Sequence, residues 1–148
     1  MSHTLGVVPV WQPVLETQRV PVDRAAVERA ALDQGLPAPR WPEPFPFDSR
    51  PAMLAATFAK QTGRAVAFSL AAMRQAFAAG RDLSVTDNVL IAAAACELHP
   101  RAVLKALETR SVIDALRESG HELPAVRVGD ALFTGSHAVE EAAALLPH

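Results

Sequence analysis

The stretch Glu122-Leu123-Pro124-Ala125-Val126-Arg127-Val128-Gly129-Asp130-Ala131-Leu132-Phe133-Thr134-Gly135-Ser136 decides the fold. It reads as a short strand, a Gly129-Asp130 turn, a second short strand and the start of a helix. Two β-prone runs joined by such a pair are a hairpin signal, and a proline at the first residue of a strand costs the ladder little. Downstream, Ala138 to Leu146 forms a last helix that covers the hairpin.

Upstream of the hairpin, helical signals follow one another. Ser111 to Ser119 reads as a helix stopped by Gly120. Pro100 opens another through Thr109, with Val103, Leu104 and Leu107 inward. Ser84 or Thr86 caps the one before, with Val89, Leu90 and Ala93 inward and Cys96 and Glu97 near its end. Ala65 to Ala79 carries Val66, Leu70, Met73 and Phe77 at helical spacing and is closed by Gly80. Ser49 caps a helix with Pro51 in its first turn, burying Met53, Leu54 and Phe58 and ending at Gly63.

The segment Leu36 to Phe47 holds Pro37, Pro39, Pro42, Pro44 and Pro46, which gives an extended connector with few backbone donors. Its aromatic residues Trp41, Phe45 and Phe47 pin it to the body of the protein or, in the other reading, line a cleft. Before it, Asp23 caps a helix with Val27, Ala30 and Ala31 on one face, ended by Gly35. Leu5 to Leu15 is β-rich, with Val8, Val10 and Gln12 on one face. Its two prolines make it an edge strand.

The 148 residues suffice for one domain that buries roughly 68–70% of its unfolded surface. Half of them are hydrophobic, 20% are charged, and the net charge is −2 without a dense Lys/Arg cluster, which argues against a nucleic-acid partner. No apolar run approaches the ~20 residues of a membrane span, and no basic-then-apolar leader opens the sequence, so cytoplasmic residence is expected. The lone cysteine, Cys96, can form neither an internal disulfide nor a Cys-x-x-Cys motif.

The order strand, helix, connector, several helices, hairpin, helix resembles the DsbA-like branch of the thioredoxin superfamily, in particular kappa-class glutathione transferases and 2-hydroxychromene-2-carboxylate isomerases. Trp11-Gln12-Pro13-Val14-Leu15 resembles the family's second strand. Phe45-Pro46 with Ser49-Arg50-Pro51 resembles the approach to its inserted helical domain, and Ala76-Phe77-Ala78-Ala79-Gly80-Arg81-Asp82-Leu83-Ser84 the stretch between two inserted helices. Leu123-Pro124 resembles the cis-proline loop, and Phe133-Thr134-Gly135-Ser136 the turn before the last helix.

The fold this implies is an α-rich α/β domain over residues 1–148. Residues 1–35 and 120–148 make a thioredoxin-like part with one small sheet, and 48–119 a helical insertion. The implied activity is thiol-disulfide exchange or a glutathione-dependent isomerase or transferase reaction. The family's nucleophile stands at the first helix N-terminus, after a first strand. Here only Met1 to Leu5 precede the family's second strand, and neither Ser2 nor Thr4 fits that place, so no catalytic residue is assigned. The resemblance implies a cis bond before Pro124, uncommon at about 5–6% of X-Pro bonds. It also implies main-chain groups of Leu123 facing a glutathione cysteinyl unit or a peptide, and Ser136 with His137 opening the last helix towards a carboxylate. His137 stands where the family has an acid. Glu122 and Ala125 replace the family's glycine and threonine, and a carboxylate at Glu122 repels an anionic ligand. The alternative is a non-catalytic module that binds a small molecule or a protein. A sheet missing its first strand exposes an edge, so a homodimer is expected.

Cys96 lies in an alanine-rich helix and reads as a buried structural residue. His99 reads as a helix cap. His121 and His137 flank the hairpin, His3 and His148 lie at the termini, and no spacing among them suggests a metal site. Glu28, Asp33, Asp48 and Asp87 form no acid/base pair, and Asp114, Arg117 and Glu118 read as surface charge pairing.

Overall fold

The computed structural model describes residues 6–17 and 21–146, so Ser2, His3, Thr4, Leu5 and His148, named above, lie outside it. In chain order the elements are β1 (Val14–Glu16), α1 (Arg24–Asp33), α2 (Arg50–Gln61), α3 (Ala65–Met73) extended by a π-helical turn (Arg74–Ala78), α4 (Thr86–Ala95), α5 (Pro100–Glu108), α6 (Arg110–Ala115), β2 (Arg117–Ser119), β3 (Ala125–Val128), β4 (Ala131–Thr134) and α7 (Ala138–Ala144). Among the described residues this is a helix-rich α/β arrangement with seven α-helices and two small sheets.

Alanine sets the geometry of the helical body. Ala52, Ala55, Ala56 and Ala59 of α2 are buried with Ala71 and Ala72 of α3 and Ala92 and Ala93 of α4 in one cluster, where Phe68, Val89 and Val103 supply the bulk. Small side chains let helix axes approach towards the 8 Å end of the usual range, where larger residues would hold them apart. Several large residues lie outside that core: Leu104 of α5, expected inward, is exposed, as are Val66, Leu70 and Met73 of α3, read at helical spacing.

Helix ends follow backbone chemistry. α2 closes in a Schellman motif, with Arg64 N donating to Ala59 O at 2.7 Å and Gly63 N to Lys60 O at 3.1 Å. α4 closes the same way, through Leu98 N to Ala93 O at 3.0 Å and Glu97 N to Ala94 O at 3.1 Å. Gly63 meets the left-handed requirement at φ +73°, but Glu97 sits at φ +62° with a Cβ. Glu97→Gly is therefore expected to raise stability by roughly 0.5–1 kcal/mol, read as a higher urea midpoint at unchanged slope. The Arg64–Glu97 ion pair that is lost (2.9 Å) is exposed and worth little.

Several caps differ from expectation. Asp48 Oδ1 takes the Arg50 N–H at 3.0 Å, while Ser49 makes no side-chain cap bond. Neither Ser84 nor Thr86 caps α4; Val85 occupies that place, and Asp82 Oδ1 accepts from Ser84 N at 2.8 Å. Asp23 caps α1 through the Ala26 N–H at 3.0 Å, and His99 Nδ1 accepts from Arg101 N at 3.2 Å. Asp114 pairs with Arg110 at 3.5 Å, while Arg117 and Glu118 belong to a strand.

The strands also depart from expectation. The proline-interrupted N-terminal stretch pairs only over Val14–Glu16, and Val8 and Val10 are 87% and 84% exposed. The helix expected over Ser111 to Ser119 ends at Ala115, because Arg117–Ser119 pairs in parallel with Val14–Glu16. Thr17 Oγ1 extends that pairing by donating to Ser119 O at 2.9 Å. The hairpin β3–β4 forms a separate antiparallel sheet, so among the described residues there are two two-stranded sheets instead of one.

The connector folds back on the body. Trp41, Phe45, Phe47 and Phe77 form a chain of edge and tilted contacts with centroids 5.0–6.0 Å apart. Arg24 of α1 lies 5.3 Å from the centroids of both Trp41 and Phe45, and Trp41 Nε1 donates to Glu28 Oε1 at 2.7 Å. These contacts hold α1. No side chain of α1 is buried, the face of Val27, Ala30 and Ala31 included.

Candidate functional site

The hairpin register brings the four residues singled out for ligand binding to one end of the hairpin. Ala125 pairs with Thr134 and Val128 with Ala131. The chain just before β3 (Leu123, Pro124) and just after β4 (Ser136, His137) therefore leaves the sheet at the same end. Gly129, at φ +58° with Asp130 outside the left-handed region, closes the other end in the pattern of a type II′ turn. The Leu123–Pro124 bond is cis, as the resemblance implies. Two further cis bonds, Glu43–Pro44 and Phe45–Pro46, lie in the connector and were not anticipated.

Leu123 is half-buried, while Pro124, Ser136 and His137 are exposed. Helix α7 packs on both strands of the hairpin and buries Ala138 and Ala142. His137 holds its N-cap position without a side-chain bond, and the first turn carries Glu140 and Glu141. Two carboxylates there already use the favourable end of the helix dipole and repel a further anion. Glu122 adds a third exposed acid at the same end.

Between β2 and the cis-proline loop lies a feature that the sequence reading missed. Ser119 is buried, and its Oγ donates to the His121 carbonyl oxygen, accepts the His121 N–H at 3.1 Å and stands 3.0 Å from His121 Nδ1. The direction of the Oγ–Nδ1 contact is set by the imidazole tautomer. With the two main-chain bonds, Ser119 and His121 form a latch that sets the path of the loop. The Ser-Gly-His spacing is the signal that could have revealed it, since serine hydroxyls readily bond main-chain groups two residues on.

Cys96 belongs to another part of the fold. It ends α4 within the alanine core, is 6% exposed, and directs its Sγ to Ala93 O at 3.2 Å and Ala92 O at 3.5 Å. Burial pushes its pKa up, outweighing the opposing pull of the Leu98 N–H and the Arg64 guanidinium. The thiol stays protonated and unreactive at neutral pH. Because the folded pKa is raised, the stability linked to this thiol is full below about pH 8.5 and falls as pH rises above it, by at most about 1.4 kcal/mol per unit. Urea melts across that range are expected to show this decline for the wild type, with Cys96→Ala flatter. A thiol reagent is expected to label the native protein at least about 100-fold more slowly than the unfolded chain.

Among the described residues, no group of three His, Cys, Asp or Glu side chains could hold a metal ion, and no helix is long and apolar enough to cross a membrane. No protein-family model matches the chain, and no curated protein and no solved structure does so either.

Proposed function

We propose that this chain is a thioredoxin-like, DsbA-type binding module that takes an extended peptide or a small thiol peptide beside Leu123–Pro124 and performs no thiol chemistry of its own. The observation that supports the non-catalytic reading is the position of Cys96. The chain has a single cysteine, and it is sealed in the helical core with a raised pKa, not at the hairpin. The binding reading draws support from the hairpin register, which brings Ser136 and His137 to the end where Leu123 and Pro124 leave the sheet.

The charge at that end refines the ligand class. Glu122, Glu140 and Glu141 favour a neutral or cationic peptide over the doubly carboxylated glutathione. In this proposal main-chain groups of Leu123 pair with the peptide backbone, as a strand edge does. The other reading, a thiol-disulfide oxidoreductase or glutathione-dependent isomerase or transferase, requires a nucleophile supplied from elsewhere.

Two experiments test this. Insulin reduction by the chain in the presence of dithiothreitol is expected at the rate of dithiothreitol alone; acceleration would overturn the non-catalytic reading. Titration of a lysine-containing hexapeptide into isotopically labelled protein is expected to shift the amides of Leu123, Ala125 and Ser136, with reduced glutathione giving smaller shifts. Shifts confined to other regions would sink the assignment of the site.

A further inference from the structure

Helix α1 packs little of its own surface on the rest of the chain. It has ten residues and buries none of its side chains, and its ties to the body run through Arg24 and Glu28 to the aromatic connector. A helix of this length is marginal in water without an apolar face to pack. One of its faces, together with the start of the connector, bounds an open groove of about 330 Å³ lined by Ala25, Glu28, Arg29, Leu32, Leu36 and Ala38. Leu32 is 75% exposed beside that groove, and Leu36 is exposed as well.

The accessible area points the same way. The chain exposes 9662 Å², against about 7,300 Å² for a compact monomer of its 15.8 kDa mass. A standard interface buries about 800 Å² per partner, so the excess leaves room for one.

The charges on this face favour a second copy of the chain as the partner. Residues 25, 28, 29 and 32 share the groove face, and their spacing is symmetric about the midpoint between 28 and 29. We propose that two chains pair through α1, antiparallel across a two-fold axis at that midpoint. The axis sets Leu32 of one chain against Ala25 of the other, a large residue into a small one, and sets Glu28 against Arg29, twice each, as an isologous interface requires. Glu28 gives one carboxylate oxygen to Trp41 and keeps the other for this contact. Arg29 takes part in no ion pair among the described residues. This dimer face differs from the open sheet edge expected from the sequence, and it is independent of the ligand reading.

Light scattering of the full chain at micromolar concentration is expected to give twice 15.8 kDa. Leu32→Glu alters only an exposed side chain, so the fold should persist by circular dichroism while dimer affinity drops about a hundred-fold or more. Arg29→Glu places acid against acid and should weaken the dimer about ten-fold or more. Glu28→Arg places base against base. A mixture of these two charge variants restores both pairs and should form a heterodimer tighter than either variant alone. A monomeric wild type overturns the proposal. So does a dimer indifferent to Leu32→Glu and Arg29→Glu, which would place the contact elsewhere, for example on Val66, Leu70 and Met73. Failure of the mixture to associate more tightly than its components overturns the antiparallel register.

Discussion

Phe68→Ala is expected to lower unfolding stability by about 3–5 kcal/mol, whereas Leu70→Ala, two residues on in the same helix, should cost under about 0.5 kcal/mol. Phe68 is 1% exposed and is the largest side chain wholly inside the helical core. Truncation there removes its transfer free energy and leaves a cavity that alanine neighbours cannot fill, because they have no side chain beyond Cβ to move into it. Leu70 is 44% exposed and is not part of the core cluster. Chemical denaturation of both variants, with the slope held, checks the pair. Equal losses would mean that α3 is turned the other way.

That contrast shows what was legible in the sequence. The existence of most helices, the hairpin and the cis bond before Pro124 could be read from glycines, caps, periodicity and a resemblance. The face that each helix buries could not always be read. Val66, Leu70, Met73 and Phe77 make a regular apolar stripe, and periodicity alone points it inward. Alanine carries little weight in such a reading, yet between closely packed helices it is the residue that permits contact, so Ala71 and Ala72 take the inside. Likewise, nothing local in Arg117-Glu118-Ser119 marks a strand. Its pairing with Val14–Glu16 spans about a hundred residues, and local propensity does not register such a partner. At the candidate site, residues near one another in sequence were anticipated as a group, while the Ser119–His121 latch was not, because a side-chain bond to the main chain two residues on leaves no periodic signal.

Ala55→Leu is expected to destabilise the chain by about 1–3 kcal/mol, despite raising hydrophobicity and keeping helix propensity nearly unchanged. Ala55 is fully buried at the centre of α2, the helix on which α3, α4, α5 and α6 all pack. A larger side chain there must push a neighbouring helix outward or adopt an unfavourable rotamer. The expected signature is a lower denaturation midpoint, with Ala55→Gly also destabilising, by roughly 1 kcal/mol or more, through lost propensity and lost contact. A rise in stability for Ala55→Leu would show that the helices stand further apart than described.

The π-helical turn at Arg74–Ala78 has a consequence for how mutation can act on the connector. In that turn Ala79 N reaches back five residues to Arg74 O, and the Phe77 carbonyl, left out of the helix ladder, accepts the Arg40 N–H at 2.7 Å. The fastening is main chain to main chain. Substitutions that change the Arg40 side chain leave both atoms in place, so the joint tolerates drift in sequence. Proline is the exception, since it alone arrives without the hydrogen. At position 40, then, the identity of the side chain can drift while the seam itself stays closed.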